Sequence, residues 1–490
     1  MTANLATMID ANVPGNKPAI IFDQRAGDAV VFSYDQLRGR IASCAQFLKT
    51  KGVCPGDHVA LLSGNHLDYM TAFYAIMYCG AVACPINFKL PRPMQQEVLA
   101  LCKAQCVFVD AAHANRSSVP EFALDDEAIF SETGAGLPPH QVHGDDVACI
   151  MFTSGSTGLP KAVPITHGGY GWALRHYEFA RASSVDLRTL IAAPFFHMNA
   201  QATTMLSLFF GGTCIMMPTF STETFLDTVA QHQVSEITGV PTMMALAIRA
   251  IDEGYRADLS SVSVVALGSA PLSESLLCDI QRVFPNASID NGYGTTEGGL
   301  VSFGPAPEGL TKPPLSIGYP AKDVDFYLEG GGDEGVLWIK TPMTSSGYLG
   351  LPQVNAEKFK DGYYNTGDVL RRDETGFYFF VGRADDMFVC GGENIFPAEV
   401  EKVLRSHPVI AEAVVVPQQD AIKGARPVAF VTLQAAGDVD VDDIKAYALE
   451  HLPAYAHPRT VTVLETLPRG TTEKIDRKAL NQRANQERSR

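Results

Sequence analysis

The chain lacks an excess of positive charge. Its 490 residues include 38 Lys and Arg against 54 Asp and Glu, which gives a net charge of -16 at pH 7. Nucleic acids and anionic membrane surfaces repel such an acidic protein, so nonspecific binding to either is not expected. A polyanionic ligand would have to be held by donors and cations gathered in one place.

Long apolar runs are also missing. No stretch approaches the roughly 18 consecutive apolar residues of a membrane-spanning helix, and residues 1–12 contain no basic region followed by an apolar core. With 46% hydrophobic content, the chain can still bury large cores and is expected to form two or more domains. We expect a soluble, cytoplasmic monomer or homodimer without nucleic-acid or membrane partners.

Paired cysteine spacings are absent as well. Of the ten cysteines, only Cys102 and Cys106 lie one helical turn apart, and no histidine is near them. Isolated thiols of this kind are usually buried apolar side chains, so neither a disulfide framework nor a metal site is predicted from them.

The chain does contain a short polar loop directly after an apolar stretch, residues 147–152, that reads as a buried strand. The loop consists of Thr153, Ser154, Gly155, Ser156, Thr157, Gly158, Leu159, Pro160 and Lys161. Glycines let backbone N–H groups approach an anion, while hydroxyls add donors and lysine adds charge. Pro160 and Ala162 exclude a Walker A loop, so the stretch predicts a phosphate-binding loop of another type.

Helices and strands alternate before this loop. Ser33 is a plausible N-cap for a helix whose apolar face comprises Leu37, Ile41, Ala45 and Leu48, with Gly52 at its end. A strand at 58–62, a helix at 67–79 and extended stretches at 81–86 and 103–110 follow. This alternation predicts an α/β fold with parallel-sheet layers. Residues 111–144 are expected to form an irregular surface excursion.

The alternation continues after the loop with a helix over 168–181, a strand over 189–193 and two further αβ units. The segments that end these units contain His197 and Met198, then Val240 to Met243, then Gly268, Ser269, Ala270 and Pro271. Ligands collect at the carboxyl ends of parallel strands, so these loops are expected to converge on one crevice.

A second polar cluster reads Asn291, Gly292, Tyr293, Gly294, Thr295, Thr296 and Glu297. Glycines on both sides of Tyr293 would let its ring lie against a base, and Thr296 and Glu297 supply hard oxygen ligands suited to Mg²⁺. Residues 330–335 formally match GxGxxG, but they join two strand-like segments and therefore predict a hairpin turn.

The last polar groups lie around Asp368 and Arg383. A carboxylate can accept hydrogen bonds from a ribose diol, and a nearby arginine can orient sugar or phosphate. The composition changes beyond Arg383. A loop at Cys390-Gly391-Gly392, helices at 397 and 441–452, and strands at 411–416, 428–433 and 460–464 predict a small α+β module. Lys474 follows in a polar turn before the last helix.

In this order and spacing, TSGSTGLPK, YGTTE, YNTGD and GRADD resemble the adenylate-forming superfamily of acyl-CoA synthetases, peptide adenylation domains and luciferases, over nearly the whole chain. Residues 385–395 resemble bacterial benzoate and chlorobenzoate CoA ligases, and the overall type is similar to aryl-acid and hydroxycinnamate CoA ligases. The resemblance implies an ATP- and acid-binding N-terminal domain of residues 1–383. It also implies a mobile C-terminal lid of residues 384–490 with its hinge at Asp385.

The resemblance also implies roles for single residues. ATP or AMP would be bound by Thr153, Ser154, Gly155, Ser156, Thr157, Gly158, Lys161, Ser269, Ala270, Pro271, Asn291, Gly292, Tyr293, Gly294, Thr295, Asp368 and Arg383. The catalytic residues would be Lys474, His197, Thr296 and Glu297, with Glu297 as the Mg²⁺ ligand. Gly391 and Gly392 would reach the site when coenzyme A arrives.

The implied reaction has two halves. A substrate carboxylate attacks the α-phosphorus of ATP and pyrophosphate leaves. The thiol of coenzyme A then attacks the acyl-adenylate after the C-terminal domain turns. Two residues depart from the family pattern: Val389 stands where many relatives carry lysine, and Glu473 stands where glycine is usual before the catalytic lysine. Both bear on coenzyme A contacts and turn geometry rather than on adenylation.

The acyl pocket is expected to be lined by His197, Met198, Val240, Met243, Gly268, Gly292 and Gly294. These segments offer no Lys or Arg for a second carboxylate and no Asp for an ammonium, so a neutral acyl group is predicted. Glycines on two walls suit a flat ring, and Asn199 and Gln201 could reach a ring substituent. An aromatic acid of benzoate or hydroxycinnamate type is favoured over the alternative, a medium-chain fatty acid.

Two other readings differ in what the protein does with the acyl-adenylate. A stand-alone enzyme could load a carrier protein instead of coenzyme A, and an acceptor assay separates these alternatives. A catalytically silent nucleotide-binding homologue would show no acid-dependent ATP–pyrophosphate exchange with any acid.

Overall fold

The structure is a computed structural model. It describes residues 4–9, 12–24, 29–131, 137–153, 160–176, 186–268, 272–390, 393–420, 424–434, 439–452, 454–470 and 474–486. Among these residues, no helix has both the length and the apolar character needed to cross a membrane.

Two mainly parallel sheets form the larger part of the molecule. The seven-stranded sheet runs, in spatial order, Ser288–Asn291, Val264–Leu267, Glu236–Gly239, Arg188–Ile191, Thr213–Met216, Pro18–Phe22 and Val30–Ser33. The six-stranded sheet runs Glu121–Ala123, Cys106–Val109, His58–Leu62, Val82–Pro85, Val147–Thr153 and Lys161–Thr166. Only the last pair in each sheet is antiparallel.

The helices among the described residues pack against the sheets of the molecule and connect their strands. In chain order they are Leu5–Thr7 (a 3-10 turn), Tyr34–Thr50, Tyr69–Tyr78, Arg92–Leu101, Glu127–Ser131, His167–His176, Met198–Phe209, Thr222–Gln231, Pro241–Asp252, Glu274–Val283, Pro352–Lys358, Pro397–Arg405, Val441–His451 and Arg477–Gln486. This layering confirms the predicted α/β class, because each crossover helix covers a sheet face that would otherwise expose apolar strands.

Two smaller sheets and a short two-stranded pair follow the parallel ones. An antiparallel sheet contains Asp325–Leu328, Glu334–Lys340, Tyr363–Arg372, Phe359–Lys360 and Tyr378–Arg383, and a second one contains Glu393–Ile395, Phe388–Cys390, Gly424–Leu433, Ile410–Asp420 and Thr460–Val463. The pair is Phe303–Gly304 with Tyr319–Pro320. Two clusters of buried side chains consist only of residues from Phe388 onward, so the last sheet and its helices have cores of their own.

The first long helix shows how closely local sequence sets an element. Ser33 forms a capping box with Gln36, which satisfies two of the unpaired donors at the helix start. Leu37, Ile41 and Leu48 are all nearly inaccessible, and Gly52 takes a φ of 84° just beyond the end. The predicted cap, apolar face and stop are confirmed.

Two sequence expectations need correction, and several strands were not predicted. Residues 111–144 are not wholly irregular, because Glu121–Ala123 extends the six-stranded sheet and Glu127–Ser131 is helical. Pro18–Phe22 and Val30–Ser33 are strands that the sequence analysis did not predict, as is Lys161–Thr166. Cys390 belongs to a strand rather than to the predicted loop, because Phe388–Cys390 pairs antiparallel with Glu393–Ile395, whereas Gly391 and Gly392 lie outside the described residues. By contrast, the predicted hairpin at 330–335 is confirmed, since Asp325–Leu328 pairs antiparallel with Glu334–Lys340.

Candidate active site

The functional residues gather in one large cleft, which has a volume of about 4080 Å³. Loops that follow four neighbouring strands of the seven-stranded sheet line it, and they contain His197, Val240, Gly268 and Tyr293. The expectation that these loops converge at one sheet edge is confirmed. Asp368, Arg383 and Lys474 reach the same cleft from later parts of the chain.

The phosphate loop is held at its two ends. Thr153 ends one strand and Lys161 begins the next, and the two residues are paired across the hairpin. Ser154, Gly155, Ser156, Thr157 and Gly158 lie outside the described residues. Because the loop joins two strands rather than a strand and a helix, an anion here would be held by loop donors and Lys161 without the help of a helix dipole.

Glu297 lies against the end of this loop. Its Oε1 accepts a hydrogen bond from the Thr153 hydroxyl at 3.1 Å and another from the Tyr348 hydroxyl at 2.9 Å. The Lys161 ammonium lies 5.0 Å from the centre of the Tyr348 ring. Glu297 is 8% exposed and Tyr348 only 4% exposed, so the cluster is buried at the base of the cleft.

Tyr348 was not singled out by the sequence analysis. Its neighbours in the chain form no polar motif, and its role is visible only from its contact with Glu297.

Asp368 and Arg383 form the second polar centre. They are paired across neighbouring strands, and the Arg383 guanidinium donates to Asp368 Oδ1 at 2.8 Å and to the Thr366 carbonyl at 2.9 Å. The Tyr293 hydroxyl donates to Asp368 Oδ2 at 2.5 Å. Since a carboxylate offers about four acceptor positions, each oxygen keeps room for a further donor such as a sugar hydroxyl.

The electrostatic environment of this centre keeps the Tyr293 hydroxyl and the Arg383 guanidinium protonated. Burial raises the pKa of Tyr293 well above its usual value, and the charge of Asp368 raises it further. For Arg383, burial alone would lower the pKa, but the Asp368 and Asp385 carboxylates outweigh that effect and raise it. Tyr293 and Arg383 therefore act as fixed hydrogen-bond donors at neutral pH.

The 291–297 segment is shaped by its own turn. Asn291 donates to the Leu315 carbonyl at 3.1 Å, and the Thr295 hydroxyl accepts from the Gly298 N–H at 2.8 Å. A Cβ on Gly294 would lie 2.8 Å from the Gly299 carbonyl oxygen, so only glycine fits there. Asn291 and Thr295 thus hold the turn, while Gly292, Tyr293 and Thr296 line the cleft.

His197 stands at the N-terminal end of the helix Met198–Phe209. Its ring centroid lies 4.2 Å from that of Phe196, and its imidazole makes no hydrogen bond to any described residue. Burial lowers its pKa to about 4, and the positive charges of Lys474 and Lys89 add to the effect. The imidazole is therefore neutral at pH 7 and can accept or donate a hydrogen bond without adding charge.

Lys474 is exposed and precedes the helix Arg477–Gln486, as predicted. Its effect on the pKa of His197, and its place in the wall of the same cleft, bring the C-terminal lysine to the site formed by the larger part of the chain. Glu473, one of the two residues that depart from the family pattern, lies outside the described residues.

The predicted acyl pocket lies along the same wall. Met198, Val240 and Met243 line the cleft, and a Cβ on Gly268 would approach the Gly292 carbonyl oxygen to 3.2 Å. Gly268 and Gly292 directly follow two paired strands, so they lie side by side on one wall rather than on two, and they leave that wall without side chains. Ser269, Ala270 and Pro271 lie outside the described residues.

Two further expectations about this wall can be compared with the structure. Gln201 is fully buried and donates to the Phe195 carbonyl at 2.6 Å, so its amide N–H supports the His197 segment. Several cations line the wider cleft outside the segments that the sequence analysis considered, among them Lys322 and Lys89, and the Lys89 charge acts on the His197 imidazole.

The hinge residues are partly described. Asp385 is exposed and accepts from the Arg383 guanidinium at 3.3 Å, and Asp386 lies 3.8 Å from Arg477. Val389 is 46% exposed on the hairpin. Gly391 and Gly392 lie outside the described residues.

The donor set fits Mg²⁺ better than a metal caged by protein ligands alone. No group of three or more His, Cys, Asp or Glu that could hold a metal occurs among the residues the structure describes. Mg²⁺ in nucleotide sites is commonly held by one or two carboxylates together with substrate phosphates and water. Glu297, buried beside the phosphate loop with Thr296 as its neighbour, supplies a carboxylate of this kind.

The comparisons with known proteins agree with this geometry. Residues 9–349 match the family model described as AMP-binding enzyme, and residues 399–474 match the AMP-binding enzyme C-terminal domain. A feruloyl-CoA synthase from Amycolatopsis sp is 33% identical over 90% of this chain and 92% of its own length. A 2-succinylbenzoate–CoA ligase from Bacillus licheniformis is 30% identical over 91% of this chain and 94% of its own length.

Solved structures show the same fold. An anthranilate CoA ligase in complex with anthranoyl-AMP superposes with a TM-score of 0.90 at 24% identity, covering 100% of this chain and 98% of that one. An o-succinylbenzoate CoA synthetase from Bacillus subtilis, in complex with its acyl-adenylate intermediate, gives a TM-score of 0.85 at 27% identity, with 97% of each chain covered. The chain therefore belongs to the AMP-binding enzymes of the adenylate-forming superfamily, in the branch of the acyl- and aryl-acid–CoA synthetases.

Proposed function

We propose that the protein activates a neutral aromatic carboxylic acid with ATP, releasing pyrophosphate, and transfers the acyl group from the resulting adenylate to coenzyme A with release of AMP. One observation carries the proposal. A buried carboxylate beside the phosphate loop, the Asp368–Arg383–Tyr293 centre and Lys474 all line one cleft that also contains His197 and the glycine wall.

In the first half-reaction the chain contributes positioning and charge. Asp368 accepts the ribose hydroxyls while Arg383 holds its carboxylate in place, and the Tyr293 ring lies beside the adenine. Lys161 and the loop donors bind the pyrophosphate end of ATP, and Lys474 lies where the carboxylate meets the α-phosphate. Glu297, with Thr296 nearby, would hold Mg²⁺, which would supply positive charge to neutralise the phosphates. These are electrostatic contributions, as expected for a phosphoryl centre that needs little covalent help.

In the second half-reaction the C-terminal domain turns about Asp385 and brings the Gly391-Gly392 segment toward the site. We place the domain boundary at residues 383 and 384, which is supported by separate buried clusters from Phe388 onward. His197, neutral and without a hydrogen-bond partner among the described residues, flanks the acyl carbonyl and shifts to admit the thiol. We also propose a cytoplasmic location, where ATP and coenzyme A are available, and action as a monomer or homodimer.

The aromatic acid is supported by the wall at Gly268 and Gly292, which carries no side chains, and by the apolar side chains Met198, Val240 and Met243. The similarity to a feruloyl-CoA synthase supports it further. An apolar pocket discriminates between substrates by only about 1–3 kcal/mol per methylene. A clear difference in kcat/KM between ring acids and chain acids would therefore indicate that the pocket selects for the shape of a ring.

The test is coenzyme A-dependent AMP release with benzoate, 4-hydroxybenzoate, coumarate, ferulate, hexanoate, octanoate and a dicarboxylate. At least one aromatic acid is expected to exceed octanoate and the dicarboxylate. If either of these exceeds every aromatic acid tenfold, the pocket assignment is wrong while the enzyme class stands. Lys89→Ala serves as a matched variant, because the Lys89 charge reaches His197 in the acyl pocket and a dicarboxylate that depends on this cation would lose its advantage. Replacing coenzyme A by a carrier protein tests the remaining alternative acceptor.

A further inference from the structure

Tyr348 joins three groups at the base of the cleft. Its hydroxyl donates to Glu297 Oε1 at 2.9 Å and lies 3.5 Å from the Tyr364 hydroxyl, and its ring lies below the Lys161 ammonium at 5.0 Å. The side chain is 4% exposed, so these contacts are shielded from bulk water. A hydroxyl and a ring face of one buried residue thus touch both the phosphate-loop lysine and the candidate metal carboxylate.

The two carboxylate oxygens of Glu297 differ in the hydrogen bonds that they accept. Oε1 accepts from both Thr153 and Tyr348, whereas Oε2 accepts no hydrogen bond from the described residues. Two donors on one oxygen fix the rotation of the carboxylate and leave the other oxygen for a ligand. Tyr348 is the donor in this bond, because an ionised carboxylate oxygen can only accept.

We propose that Tyr348 is a positioning residue for the metal site, holding Glu297 so that Oε2 faces the cation, while its ring supports Lys161. The inference rests on the proposed role of Glu297 as Mg²⁺ ligand. Partners that orient a metal ligand typically contribute about 10–100-fold to metal affinity or activity. The phenol hydroxyl therefore affects the metal requirement, and the ring affects ATP binding through a cation–π contact.

The test compares full-length wild-type protein with Tyr348→Phe, which keeps the ring below Lys161 and removes only the hydroxyl. Calorimetry measures ATP binding, without acid, over a series of Mg²⁺ concentrations. The Mg²⁺ concentration that gives half of the metal-dependent gain in ATP affinity is expected to rise about 10–100-fold in the variant. ATP–pyrophosphate exchange should recover toward the wild-type rate at saturating Mg²⁺. Thioester formation from a synthetic acyl-adenylate and coenzyme A should be unchanged.

Tyr364→Phe is the matched control, because its hydroxyl lies near that of Tyr348 but does not bond Glu297. It is expected to leave the Mg²⁺ dependence as in the wild type. Thr153→Val, which removes the other hydrogen bond to Oε1, should shift the dependence in the same direction as Tyr348→Phe, and thermal unfolding checks that each variant folds.

The results distinguish an error in the proposed metal ligand, Glu297, from an error in the positioning role of Tyr348. If Glu297→Gln leaves the Mg²⁺ dependence unchanged, the proposed metal ligand is wrong. If Glu297→Gln raises the requirement but Tyr348→Phe does not, or if excess Mg²⁺ fails to restore the rate of Tyr348→Phe, the positioning role is overturned.

Discussion

Replacing Asp368 by asparagine is the sharpest test of the nucleotide site. The substitution keeps the shape of the side chain but removes its charge. Asp368 is 6% exposed and receives Arg383 on one oxygen and Tyr293 on the other. An amide has one oxygen and one N–H₂ group, so it would lose one of these acceptor positions and place a donor against one of two existing donors.

The Asp368→Asn substitution is expected to cost less in folding stability than in nucleotide binding. The Arg383 side chain is 41% exposed and also contacts Asp385 at 3.3 Å, so its charge remains solvated and partly paired. The stability cost should then be about 1 kcal/mol, well below the 3–5 kcal/mol typical of breaking a fully buried pair. Each ribose hydroxyl bond to a charged acceptor contributes about 1.5–3 kcal/mol, so losing one weakens ATP use about ten- to hundredfold.

The assay is acid-dependent ATP–pyrophosphate exchange with ATP and with 2′,3′-dideoxy-ATP. The wild-type protein is expected to prefer ATP, because the dideoxy nucleotide cannot donate to Asp368. In Asp368→Asn the kcat/KM for ATP should fall about ten- to hundredfold while that for the dideoxy nucleotide stays nearly the same. The preference therefore shrinks by the same factor.

Asp325→Asn is the control. Asp325 accepts the Tyr363 hydroxyl at 2.5 Å, which is the same kind of bond, on an exposed face of the same sheet. It should leave the nucleotide preference unchanged. If Asp368→Asn loses activity equally with both nucleotides and keeps the wild-type preference, the carboxylate acts only on structure and the ribose assignment is refuted.

Three further predictions concern the lysine, the hinge and acid stability. Lys474→Ala should lower adenylation on the order of 10²-fold or more while a synthetic acyl-adenylate still reacts with coenzyme A, and equal loss of both half-reactions would contradict its role. Asp385→Pro fixes φ and should retain adenylate formation but lose thioester formation; unchanged thioester turnover would place the hinge elsewhere. Burial, opposed by Asp146 and reinforced by His140, lowers the pKa of His167 to about 4, so the unfolded chain binds the proton first as pH falls. The associated stability, about 3 kcal/mol at most, is present above about pH 6.5 and is lost between pH 6.5 and 4. As pH is lowered from 6.5 to 4, the urea midpoint of His167→Gln should fall less steeply than that of the wild-type protein. Parallel curves for the two proteins would disprove the assignment of this loss of stability to His167.

The sequence predicts elements well where the local signal and the tertiary contacts agree. His58–Leu62 lies at its predicted position, and the helix Tyr34–Thr50 begins after its predicted cap. Lys161–Thr166 was missed because Pro164 argues against a strand. The strand lies at the edge of the six-stranded sheet, where a missing N–H costs little. Glu121–Ala123 is three residues long and is extended only because it pairs with Cys106–Val109, which no local propensity shows.

The polar half of the site was predictable for a chemical reason. Phosphate and ribose need donors, acceptors and cations of particular types, and those types stand in short motifs at Thr153, Glu297 and Asp368. Tyr348 could not be found in this way, because it reaches Glu297 from 51 residues along the chain. The contact depends on how a strand and a turn pack together, so a motif of adjacent residues contains no trace of it.

The acid-binding half of the site, by contrast, could not be predicted from short motifs. Its walls are apolar side chains and glycines from separate strand ends, and what they select is the shape of the space between them rather than a pattern of charges. A one-methylene change in such a wall alters selectivity by about 1–3 kcal/mol and leaves every polar motif intact. Substitution at Met243 should therefore change the preferred acid without changing ATP use. It follows that relatives with the same polar motifs can differ in the acid they activate, because side chains such as Met198 and Met243 line the acid wall and belong to none of the nucleotide-binding motifs.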